Sequence, residues 1–179
     1  MRKLTVGMAT HDDYDGVYFS IQSIRMYHPE VLDDIEFVIV DNNPNSNHGK
    51  AVRNLLKWIK EPVQYLPYTK YKSTSVKNKV FDLAETPYVM CIDSHVMLKP
   101  GSIKKLIDFF ESGKDHGNLI QGPLVYDDGQ NISTHFDLNG LDTCGGNGEQ
   151  ILEDLIKMAR LLKFQPKVWV FFRVGKTLG

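Results

Sequence analysis

Cysteine is nearly missing from this chain: 179 residues hold two, Cys91 and Cys144, too few for a disulfide framework. Cys91 falls in the apolar run YVMCI, where a thiol serves as a small buried hydrophobe. The opening MRKLTVGMAT passes into His11, Asp12 and Asp13, too polar and too short for a signal peptide or a membrane span. A cytoplasmic location with no membrane span is the expectation. Charge of one sign is also lacking, since 21 Lys and Arg face 22 Asp and Glu for a formal net charge of -1. That balance offers no basic face to nucleic acid, so any anionic ligand must be neutralised locally. The usual phosphate-cradling loops are absent too: no GxGxxG follows the first apolar run, and GxxxxGK[ST] occurs nowhere.

What remains is the composition of an ordinary globular domain, with 42% apolar residues. Three short runs rich in β-branched residues, 4–9, 35–40 and 88–92, predict strands. Between them lie stretches of helical period: Val17, Ile21 and Ile24 before Pro29, then Val52, Leu55, Leu56 and Ile59 before Pro62, then Val76, Val80 and Leu83 before Pro87. The prolines stop each helix where the chain must turn. A fourth helix is expected to open at Pro100-Gly101-Ser102 and to carry Ile103, Leu106, Ile107 and Phe110. Two further strands are expected at 119–126 and 132–136, separated by Asp127-Asp128-Gly129. Strands alternating with helices predict an α/β fold: a mainly parallel sheet with helices on both faces.

In such a sheet, ligands bind beyond the carboxyl ends of the strands, so the polar residues there carry the information. The first strand ends in Thr10-His11-Asp12, the second in Asp41-Asn42-Asn43-Pro44, and the third in Asp93-Ser94-His95. A divalent metal gripped by an Asp and a neighbouring His is an economical way to neutralise a diphosphate where no phosphate loop exists. Asp93 and His95 have that spacing. Taken singly, Asp41 could be a turn former, Lys77 and Asn78 solvated helix residues, and His95 a donor to a backbone carbonyl. His11, Asp12 and Asp13 read as structural or exposed, with His135 a candidate third metal ligand.

The segments LTVGMATHDD, EFVIVDNNPNS and STSVKNKVFDLAETPYVMCIDSH agree in order and spacing with the family 2 glycosyltransferases, and the chain resembles that family over roughly residues 3–136. The resemblance implies the GT-A (Rossmann-like) fold of nucleotide-diphospho-sugar transferases. It also implies that Thr10 and Asp41 hold the base and ribose, that Lys77 and Asn78 lie near the base and diphosphate, and that Asp93 and His95 take the DxD positions. The D-x-H form is similar to that of the polypeptide N-acetylgalactosaminyltransferases, whose triplet binds manganese. Expected cofactors are therefore a divalent metal, Mn2+ or Mg2+, and a nucleotide-diphosphate sugar donor, the partner being an acceptor hydroxyl of unspecified kind.

Residues 1–136 are thus expected to form the nucleotide-sugar-binding domain and 137–179 an atypical tail. The tail opens on the glycine cluster CGGNG and runs through ILEDLIKMARLLKF to VWVFF. It lacks anything like the family's acceptor-site segment or catalytic carboxylate. Read one base out of frame, 161–179 permits FEIPTQGMGFFSCRKDAW, which looks like that missing segment, so a frameshift near residue 138 is expected. The primary expectation is a metal-assisted glycosyltransferase, and the alternative is a vestigial donor-binding domain. A carboxylate from the tail, such as Asp142 or Glu149, would separate the two. A nucleotidylyltransferase on a similar fold should carry a Gly- and Lys-rich loop after the first strand, and HDDYDG is not one.

Overall fold

The computed structural model describes residues 1–70 and 74–114. The expected strands at 119–126 and 132–136, His135, and the whole tail from 137 lie outside the described residues.

Four strands, β1 (Leu4–Thr10), β2 (Ile35–Asp41), β3 (Val63–Pro67) and β4 (Tyr88–Asp93), form one sheet in the order β3-β2-β1-β4. Every pairing is parallel. The helices are α1 (Tyr14–Tyr27), α2 (Asn47–Leu56), α3 (Asn78–Leu83), entered through the 3-10 turn Thr74–Lys77, and α4 (Ser102–Glu111). A second 3-10 turn, Pro29–Val31, follows α1. The parallel α/β sheet with flanking helices is the expected fold.

Local chemistry explains most of the boundaries. Helix α1 starts because Asp13 accepts from the Gly16 N–H at 3.0 Å, and α2 starts because Ser46 accepts from the Gly49 N–H at 2.9 Å. Pro29 and Pro87 fall just beyond the ends of α1 and α3, as expected. Helix α4 begins at Ser102, after Gly101 takes a left-handed φ of 75°. Pro100 is therefore in the approach to the helix and not within it.

Each strand alternates its side chains between the two faces of the sheet. Val38, Val40, Val89 and Cys91 cluster with Val76, Val80 and Ala84 of the α3 segment on one face. Phe37, Ile39, Met90 and Ile92 have the opposite parity and are buried as well, as are Val17, Ile21 and Ile24 of α1. Burying an Ile or Val side chain contributes about 1.5–3 kcal/mol relative to leaving it exposed. Gly7 marks the closest approach across the α3 face, since a Cβ there would sit 1.9 Å from Val80 Cγ1.

Sequence reading missed β3. Four of its five residues are half-buried and Pro67 is exposed, as suits an edge strand, and the run ends in Pro67, a residue depleted in strands. Cys91 behaves as expected: it is buried, and burial pushes its thiol up to about 11.

Candidate functional site

Parallel register brings the three strand ends together. Thr10 pairs with Asp41, Asp41 with Pro67, and Ala9 with Asp93, so Thr10, Asp41 and Asp93 stand at one edge of the sheet. Partners in register project to the same face, and neighbours along a strand project to opposite ones. Thr10 and Asp41 therefore share a face, and Asp93 leaves the sheet on the other, with Lys77.

Asp41 is only 1% exposed, and both carboxylate oxygens are engaged. The Asn43 N–H donates to one at 2.9 Å, the Asx-turn geometry that its sequence predicts, and the Tyr65 hydroxyl donates to the other at 2.7 Å. Burial, with the Asp41 carboxylate beside it, pushes the Tyr65 phenol up to about 12. Gly49 of α2 packs closely on this carboxylate: a Cβ there would stand 2.6 Å from the Asn43 carbonyl oxygen and 2.8 Å from Asp41 Oδ2. Nearby, Asn43 Nδ2 donates to Asp12 Oδ2 at 3.0 Å, and hydrogen bonds from Ser46 and Asn43 hold the Asp12 carboxyl below its ordinary range.

The end of β4 is fastened to α1. Ser20, 1% exposed, accepts from the Val96 N–H at 3.1 Å and shares its hydroxyl proton between the carbonyls of Ser94, at 2.8 Å, and Val96, at 3.1 Å. Ser94 Oγ donates to Asp13 Oδ2 at 2.6 Å, and His95 Nδ1 lies 3.2 Å from the same oxygen. Burial acts to raise the Asp13 carboxyl, but hydrogen bonds from Ser94, the Gly16 N–H and His95 outweigh it and leave the group below its ordinary value. Lys77 pairs with Asp93. Ala9, His11, Asp13, Asp93, Ser94 and His95 line an open cleft of about 450 Å³.

Among the predicted residues, Asp93 and His95 share this cleft, with side chains 51% and 71% exposed. Lys77 reaches it through Asp93, whereas Asn78 is exposed at the start of α3. Thr10 is buried on the Asp41 side. Among the described residues no three His, Cys, Asp or Glu side chains form a ready metal cluster. Sequence reasoning missed Ser20, Tyr65 and the reach of Asp13. Ser20 did give a signal, because it interrupts the apolar stripe of α1 between Val17 and Ile24, and a buried hydroxyl needs a partner. The other two gave none.

The parallel sheet with its flanking helices has the GT-A fold. The chain belongs to glycosyl transferase family 2, whose sequence profile matches residues 5–173. The fold is similar to that of Staphylococcus aureus TarS residues 1–349, at 16% identity and a TM-score of 0.51, covering 69% of this chain and 41% of that one. The same residues of TarS have been solved with UDP-GlcNAc, where identity is 17%, the TM-score 0.51, and coverage 69% and 33%. The mannosyltransferase PcManGT from Pyrobaculum calidifontis, solved with GDP-Man and Mn2+, matches at 16% identity and a TM-score of 0.52, over 69% of this chain and 35% of that one. The chain thus spans well under half the length of these structures. No curated protein matches it.

Proposed function

We propose that this chain is the donor-binding part of a metal-assisted glycosyltransferase, which moves a sugar from a nucleotide-diphosphate donor to an acceptor hydroxyl. The observation that carries the reading is the β4 end, where Asp93 and His95 face one cleft at the same sheet edge as Thr10 and Asp41. In a family 2 member, that edge is where a nucleotide sugar is expected.

The donor set fits a divalent cation. One carboxylate and one imidazole, both exposed to the cleft, are nitrogen and oxygen ligands suited to Mn2+ or Mg2+, and two are too few to bind tightly without diphosphate oxygens. When bound, the cation supplies positive charge to the departing diphosphate. Asp93 and His95 would hold it, and Lys77, which pairs with Asp93, would add a second positive charge near the phosphates, with Asn78 next to it in the chain. Thr10 and Asp41 take the base or ribose on the other face.

Calorimetry with UDP and GDP, with and without Mn2+, tests the reading. Asp93→Ala and His95→Ala should abolish the metal-dependent part of binding, whereas Asp41→Ala should weaken binding whether or not metal is present. Unchanged metal dependence in both cleft variants would overturn the assignment. Metal-dependent binding by a protein that transfers sugar to no acceptor would mark a vestigial donor-binding domain instead. The domain boundary near 136 and the frameshift near 138 belong to the same proposal, against the family profile's continuation to residue 173, and sequencing the coding DNA decides the second.

A further inference from the structure

We propose that Asp13 is a positioning residue for His95: its carboxylate holds the imidazole by Nδ1 and leaves Nε2 as the nitrogen presented to the cation. The inference rests on the donor-site reading above and extends it to a residue on a different element.

Asp13 does more than cap a helix. Capping needs one oxygen, and Oδ1 supplies it by accepting from the Gly16 N–H at 3.0 Å. Oδ2 is not used by the cap and instead meets Ser94 Oγ at 2.6 Å and His95 Nδ1 at 3.2 Å, on a turn some eighty residues later in the chain. Helix α1 also makes room for this arrangement. A Cβ on Gly16 would lie 2.2 Å from Asp13 Oδ2 and 2.6 Å from its Cγ, so any larger residue would push the carboxylate off the β4 turn. Glycine is a poor helix former, and here it sits in the first turn of α1.

The chemistry follows from what each group can donate. An ionised carboxylate only accepts hydrogen bonds, so the proton between Asp13 and His95 must sit on Nδ1. Neutral imidazole carries one N–H, which leaves Nε2 with a bare lone pair. Ser20 fixes the backbone on either side of His95 through the Ser94 and Val96 carbonyls and the Val96 N–H. Turn and ring are thus both set before a ligand arrives. A carboxylate behind a histidine ligand fixes its tautomer and raises its basicity.

The test begins with the wild-type protein free of metal. Long-range 15N NMR of the imidazoles should show His95 as the Nδ1–H tautomer, and an Nε2–H tautomer would overturn the proposal. Asp13→Asn keeps the cap, since Asn ranks with Asp there, but removes the ionised acceptor. Calorimetry of that variant, with Mn2+ and UDP or GDP, should show metal affinity weakened by about 10- to 100-fold and nucleotide affinity without metal unchanged. Unchanged metal affinity in Asp13→Asn, where His95→Ala has lost it, overturns this inference and leaves the donor site standing. If His95→Ala itself keeps metal dependence, the donor-site reading fails first. Should Asp13→Asn not fold, the wild-type spectrum decides alone.

Discussion

His28 is fully buried, its Nε2 is 3.3 Å from the Leu98 carbonyl oxygen, and its Nδ1 has no hydrogen-bond partner. Burial holds its pKa below the ordinary 6.5, although the Leu98 carbonyl and Glu30 pull the other way. The unfolded chain therefore binds this proton more readily than the folded one, and stability falls as the pH drops below about 6.5. Urea midpoints measured between about pH 7 and pH 5 should decline, and His28→Gln should flatten that slope; an equal slope in both proteins would remove His28 as its source. Tyr65 poses a different problem, because its hydroxyl completes the shell of a buried carboxylate. Tyr65→Phe should cost about 1–3 kcal/mol in urea unfolding by leaving an Asp41 oxygen short of a donor, and an unchanged midpoint would mean that water takes its place.

At the scale of elements, β1 packs closely on α3 where Gly7 meets Val80. Gly7→Ala drives a methyl into Val80, and overpacking of this kind costs about 1–3 kcal/mol. The double variant Gly7→Ala, Val80→Ala should be more stable than Gly7→Ala alone in thermal unfolding; a double variant that is no better would mean the clash is relieved elsewhere. This scale also shows what the sequence makes legible. Hydrophobic runs bounded by prolines located β1, β2, β4 and all four helices, because fully buried strands and amphipathic helices must write their burial into composition. Edge strand β3 is half-buried and writes little. Asp93 and His95 were legible as a motif on one turn. Asp13 and Tyr65 were not, since each acts on a residue of a distant part of the chain through a contact that only the folded register creates.

For the whole molecule, the register has a consequence for what the edge can hold. Asp41 and Asp93 belong to β2 and β4, which flank β1, so their strand ends stand roughly 10 Å apart at ordinary strand spacing. They also point to opposite faces of the sheet. On the donor-site reading, one ligand must therefore lie across the rim, with its base on one side and its charged end on the other. On that reading, the distance such a ligand must cover is a property of strand order, set by the insertion of β1 between the two acidic strands.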